Sequence, residues 1–251
     1  MKKILRGGLS LLLVLSMCAC TSKSNLSVDD AFYEDLKQGL INRWNLSDLN
    51  DDDYTTEDFN GYVKAELDCI SKYKNKKFKN KNIEKYAKEY IETLYDTKNN
   101  TKYIDSNYDK WESEYINVIY DDRCEALVHL NEIKKIEFDK KSQNKNFNEL
   151  LDDGNDSLAI RDFMDKADFK KEPDEYEGET YHTYSMIMEN TTDLSFDYFY
   201  FNLNLEDENG VVLETQSAYT DNWDTGTKHK FEFSTDCNFA KITVHDVSYD
   251  Y

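Results

Sequence analysis

The chain has 251 residues, with 51 acidic against 31 basic side chains, a net charge of −20, one proline and 14% aromatic residues. That acid excess repels nucleic acid and anionic headgroups, so neither is expected to partner the surface as a whole. Its eight glycines form no phosphate-cradling or nucleophile-elbow motif, and no HExxH or CxxC occurs, which removes the commonest sequence signs of an enzyme.

At the N-terminus Lys2, Lys3 and Arg6 precede an apolar run from Leu9 to Met17, which ends at Met17-Cys18-Ala19-Cys20 before polar Thr21-Ser22-Lys23-Ser24. This is a basic, then apolar, then small-residue pattern, and the run is roughly half the ~20 residues a spanning helix needs. The segment resembles bacterial lipoprotein signal peptides, in which a small residue precedes the cysteine that becomes the lipidated first residue. The resemblance implies cleavage of residues 1–19, lipid on Cys20, and a chain held on the outer face of the cell membrane by a short tether over 20–26. Cys18 fits less well, because it follows bulky Met17. Cleavage removes three basic residues and no acid, which takes the net charge from −20 to −23.

From residue 27 the apolar pattern repeats at three and four, and beyond Pro173 at two, so a helical domain over 27–171 and a β domain over 174–251 are expected. Ser27 with Asp30 predicts an N-cap for a first helix that carries Phe32, Leu36, Leu40 and Trp44 on one face. A second starts near Thr55 or Thr56 and presents Phe59, Val63, Leu67, Ile70 and Tyr73, and a third follows Asn82 with Ile83, Ala87, Tyr90, Ile91 and Leu94. The longest is expected from Tyr108 to Ile136. Weaker pieces around Phe147–Leu151 and Leu158–Met164 flank Asp152-Asp153-Gly154-Asn155, which reads as a turn. Each stripe is one-sided, so the helices need one another to bury it, and a bundle is predicted.

In the stretch 194–206, Phe199, Phe201, Leu203 and Leu205 alternate with Tyr198, Tyr200, Asn202 and Asn204, and Phe196 falls in the second set. The first set is the expected core. Asn209-Gly210 predicts a type I′ hairpin, and Val211–Glu214, Lys228–Ser234 and Phe239–Val247 continue the strands. Glu189-Asn190-Thr191, Leu203-x-Leu205, Asp207-x-x-Gly210, Gly226 and Phe231-x-Phe233 together resemble the immunoglobulin-like FxLYF modules at the C-termini of Gram-positive surface lipoproteins. The helical segment from Glu66 through Lys72–Phe78 to Tyr90 is similar to uncharacterised lipoproteins with a bundle ahead of such a module. The resemblance implies an α+β chain, a helical bundle followed by an antiparallel immunoglobulin-like sandwich, used for adhesion rather than catalysis; it supplies no catalytic residues.

Chemistry-bearing residues are sparse. His129, His182, His229 and His245 never pair at helical or strand spacing, and Cys237, His245 and Asp246 on neighbouring strand positions make a poor nucleophilic site. Of three acidic clusters, Asp48–Asp53 and Asp221–Glu232 depart from calcium-loop spacing, and Asp152–Asp156 is too short to compare with it. With Cys20 lipidated, Cys69, Cys124 and Cys237 remain; a Cys69–Cys124 bridge and unpaired thiols are both open. No cofactor or metal is expected.

Two surfaces stand out instead. One is a local charge reversal, Lys72, Lys74, Lys76, Lys77, Lys79, Lys81, Lys85 and Lys88, suited to wall polymer, anionic headgroups or the acidic β domain. The other is the aromatic excess of the β region: Phe196, Tyr198 and Tyr200 as an outward row, with Trp223 nearby. The reading that follows is a non-catalytic, lipid-anchored surface protein that contacts a protein or a cell-envelope polymer. The alternative is a solute-binding or sensing lipoprotein beside a transporter or receptor, although the two α/β lobes usual in such receptors are not expected here.

Overall fold

The computed structural model describes residues 26–47, 55–174 and 176–250. The leader, Cys20, most of the tether and the acidic cluster at 48–53 lie outside them. Among the described residues no helix is long and apolar enough to cross a membrane.

The chain is α+β. Among the described residues six α-helices come first: α1 (Val28–Ser47), α2 (Thr56–Ile70), α3 (Lys81–Asn100), α4 (Tyr108–Trp111), α5 (Tyr120–Ile133) and α6 (Lys141–Lys166). Their starts follow local chemistry. The Ser27 hydroxyl accepts from Asp30 N at 3.1 Å, Thr55 and Asp58 form a reciprocal capping box, and Asn80 caps α3 through Asn82 N and Ile83 N. The predicted long fourth helix is continuous but changes winding: between α4 and α5, Glu112–Ile119 is a π-helix, with Trp111 stacked on Tyr115 at 4.1 Å. Phe32, Leu36, Leu40, Val63, Ile70, Ala87, Tyr90, Leu94, Trp111 and Leu127 meet in one core.

The turn expected at 152–155 does not form. One unbroken helix, α6, runs through it, and a Cβ on Gly154 would sit 2.6 Å from the backbone carbonyl of Cys124. The glycine there serves a close helix crossing rather than a chain reversal. The helix also links two cores: Phe147 and Leu150 belong to the helical one, whereas Ile160 and Phe163, with Phe169 beyond, pack into the β one.

Two antiparallel three-stranded sheets follow. One has the order β1-β2-β5 (Lys170–Lys171, His182–Glu189, Lys228–Thr235), the other β4-β3-β6 (Val212–Trp223, Phe196–Glu206, Lys241–Asp250). Met186, Phe231 and Phe233 from the first sheet share a core with Phe199, Phe201, Leu203, Leu205 and Trp223 from the second. Asn190, fully buried, locks the corner between β2 and β3: its amide donates to Leu194 O and Trp223 O at 2.7 and 2.9 Å and accepts from Thr192 N at 3.0 Å. The β3–β4 hairpin differs from the predicted type I′. Only Gly210 has positive φ, and Asp207 accepts from Asn209 N and Val211 N, which gives a turn closed by a left-handed glycine with a register shift beside it.

Candidate functional site

The outer face of the β4-β3-β6 sheet is built by strand alternation. With Phe199, Phe201, Leu203 and Leu205 committed inward, Tyr198, Tyr200, Asn202 and Asn204 point outward along β3. Cross-strand pairing then sets Tyr219 opposite Tyr200 and Asp221 opposite Tyr198 on β4, and Asp250, Ser248 and Asp246 opposite Tyr198, Tyr200 and Asn202 on β6. The Tyr200 and Tyr219 rings stack at 5.0 Å and 16°, and Tyr198 meets Tyr200 edge-on at 5.6 Å. Tyr198 and Tyr219 remain 38% and 53% exposed. Beside them Ser217 donates to Asn202 Oδ1 and Asn202 Nδ2 donates to Ser248 Oγ, both at 3.1 Å, so one amide holds a polar ladder across three strands. No lysine or arginine occurs in 196–206, 212–223 or 243–250. The face offers stacked rings, amides, hydroxyls and carboxylates, and its one lysine, Lys241, lies opposite Glu206 at the far end of β3 from the tyrosines.

Two residues expected on this row are core instead. Phe196 and Trp223 face each other across β3 and β4 and are 1% and 0% exposed. Alternation fails at that end of both strands: Asp197 and Tyr198 are both exposed, as are Asp221 and Asn222, and Asn222 takes a left-handed φ of 52°. The resulting phase change turns both rings inward, where Phe163 of α6 meets Trp223 at 5.0 Å.

The lysine run divides in two. Lys72 pairs with Asp35, Lys74 with Glu92 at 2.8 Å while lying over the Tyr95 ring, Lys81 and Lys88 with Glu84, and Lys85 with Glu89 at 4.0 Å. The bonds from Lys81 and Lys88 hold the Glu84 carboxyl down at about 2. Lys76, Lys77 and Lys79 are exposed, with no ion pair among the described residues. Their connection is fixed to α1, because Asp29 accepts from Lys79 N and Asn80 N at 2.8 and 2.9 Å.

Sequence reasoning missed a charged network in the helical core. Glu66, wholly buried, accepts from Arg43 at 2.8 Å, from Arg123 at 3.1 Å and from the Tyr90 hydroxyl. Burial pushes its pKa up, and the two guanidinium groups more than reverse that, leaving the carboxyl below its ordinary value. The available signal was Glu66 on the otherwise apolar stripe of α2.

A groove of about 450 Å³ between α3 and α5 is lined by Glu89, Glu92, Asp96, Asp122, Glu125 and His129, among others. Burial, then Glu92, raises Asp96; beside the groove, burial, then Glu125, raises Asp121 to about 6. Arg161 binds Asp122 and Glu125, Ser157 also donates to Glu125, and His129 stacks on Tyr86 at 4.3 Å. Glu92 pairs with Lys74, and Asp122 and Glu125 with Arg161, whereas the Asp96 and Asp121 carboxyls make no ion pair among the described residues. Cys69, Cys124 and Cys237 form no disulfide among the described residues; burial lifts the Cys124 thiol to about 11 and, with Glu214, raises Cys237, the opposite of activation. Among the described residues no three His, Cys, Asp or Glu side chains converge as metal ligands would. Asp221–Glu232 spans the end of β4, a turn and much of β5, with Trp223 buried inside it.

No family model and no curated protein matches the chain. Among solved structures it is similar to IrmA from Escherichia coli, at 19% identity over 34% of this chain and 73% of that one, with a TM-score of 0.27. A likeness of that size carries no argument about fold or function.

Proposed function

We propose that this is a non-catalytic, lipid-anchored protein of the outer cell surface, whose immunoglobulin-like C-terminal sandwich binds a protein or cell-envelope polymer through the outer face of the β4-β3-β6 sheet. The observation that carries the reading is the exposed Tyr198–Tyr200–Tyr219 cluster beside the Ser217–Asn202–Ser248 ladder. Tyrosines stacked and edge-on against one another on a hydrogen-bonded sheet supply contact area at little entropic cost, as recognition surfaces do. Carboxylates at Asp221, Asp246 and Asp250 around the tyrosines, with the sheet's lysine, Lys241, at the opposite end beside Glu206, favour a neutral or cationic partner over a polyanion. The aromatic core shared by two antiparallel sheets supports the immunoglobulin-like assignment, and the Ala19-Cys20 junction supports the anchor.

Crosslinking in cells followed by mass spectrometry tests the face. A discrete adduct of the wild type should vanish in Tyr198→Ala/Tyr219→Ala while the variant keeps its melting temperature; an unchanged adduct would place the binding surface elsewhere. Cys20→Ala should leave the membrane fraction, and its retention there would sink the anchor.

The α3–α5 groove supports the solute-binding reading. Its volume suits a small ligand, but its lining is charged where such sites are mostly apolar.

A further inference from the structure

We propose that the lysine connection between α2 and α3 docks on the anionic phospholipid headgroups of the membrane that holds the chain. This rests on the lipid anchor proposed above. Five of the eight lysines of the run pair with carboxylates of their own domain, whereas Lys76, Lys77 and Lys79 are exposed and make no ion pair among the described residues. Phe78, between two of them, is buried against Phe32 at 5.5 Å, and Asp29 holds the backbone on the far side. The three ammonium groups are therefore presented outward from a fixed base rather than from a loose loop.

Their position relative to the anchor follows from covalent length. Val28, where α1 begins, is eight residues from Cys20, so the tether reaches at most about 28 Å, and Asp29 touches the lysine connection directly. Lys134 and Lys135 join the same end, Lys134 by an ion pair with Asp30 at 2.7 Å. Near this end Asp30 is ion-paired with Lys134 and Glu84 with Lys81 and Lys88, while Asp29 accepts from two backbone amides and Glu132 faces the His129 ring. Residues 174–251, by contrast, carry 17 acidic and 3 basic side chains. An anionic bilayer attracts the lysine end and repels the β domain. The effect is confined to the ~8 Å Debye length at physiological salt, which is why a tether that brings the lysines to the surface matters.

The lipidated full chain, its lipid verified by intact mass, is reconstituted on phosphatidylcholine vesicles with or without phosphatidylglycerol, and lysine acylation rates are read by mass spectrometry. Lys76, Lys77 and Lys79 should be modified several-fold more slowly on the anionic vesicles, with the difference abolished in about 1 M salt, where the Debye length is ~3 Å; Lys64 and Lys98 should not change. Equal rates on both vesicles overturn the proposal. Equivalent protection by soluble poly(glycerol phosphate) without vesicles overturns the lipid assignment in favour of a wall polymer. If the mass shows no lipid, the anchor reading fails by itself; the chain from Thr21 is then held on nickel-chelating vesicles by an N-terminal histidine tag, and the same footprint still decides the docking. Amide exchange over 74–80 supplies a second readout, whose dependence on anionic lipid Lys76→Gln/Lys77→Gln/Lys79→Gln should remove.

Discussion

The helical core encloses a carboxylate, two guanidinium groups and a phenol in one bonded network, whereas the β core is lined by Phe196, Phe199, Phe201, Trp223, Phe231 and Phe233, and the buried polar side chains beside it, Asn190, Thr192, Thr220 and Thr235, are neutral. The first core ties α1, α2, α3 and α5 together through Glu66, so its stability is sensitive to a single proton or substitution. The second depends on ring area, part of which comes from α6. Independence of the two regions is therefore partial.

The largest expected effect tests that dependence. A fragment of residues 174–251 lacks Ile160, Phe163 and Phe169, which together contribute roughly 5–9 kcal/mol of burial at about 1.5–3 kcal/mol each, comparable with the whole stability of a small domain. It should show no cooperative melt by near-ultraviolet circular dichroism, while a fragment starting at 156 should. Equal melts would establish the sheets as a self-sufficient core.

Next in size is Glu66→Gln, which leaves Arg43 and Arg123 without their shared counter-charge and should cost about 3–5 kcal/mol in urea unfolding. Since the folded Glu66 pKa is depressed, its contribution is present above the unfolded value near 4.3 and is lost as pH falls through the folded one. The wild type should lose helical stability in acid more steeply than the variant. A variant as stable as the wild type at pH 7 would show that the network supplies specificity only.

The smallest effect has the opposite sign. Asp121 is raised to about 6, chiefly by burial, so its ionised form is disfavoured in the fold, and that cost is fully present above about pH 6. Solvent screening of this half-exposed group limits the gain from Asp121→Asn to on the order of 1 kcal/mol at pH 7. The gain should disappear below about pH 4, where the carboxyl is protonated folded or unfolded; a pH-independent change in melting temperature would point to packing instead.

Much of this organisation was legible in the sequence because it rests on period. The starts of α1 and α2 were marked by Ser27 and Thr55, and the inward set of β3 by simple alternation. The failures have different causes, one a neighbour distant in sequence and the others a local departure from regular backbone geometry. Gly154 within an acidic run looks like a turn until Cys124 is known to press against it. Phe196 and Trp223 look outward until Asn222 shifts the phase of their strand ends. Asn209-Gly210 suggests one hairpin, but the carboxylate of Asp207 selects another. At the candidate face, Tyr198 and Tyr200 could be picked from β3 alone, but Tyr219 and Ser248 required the register of β4 and β6.

Helix α6 has a mechanical meaning as well. Twenty-six residues at about 1.5 Å each make a strut of roughly 39 Å, rooted by Phe147 and Leu150 in one core and by Ile160 and Phe163 in the other. A load applied at the tyrosine face and resisted at Val28 would pass along a rod with its own hydrogen bonds rather than reel out a slack cord. Its first point of failure is a rooted end, so traction would strip rings from a core before it lengthened the helix between them.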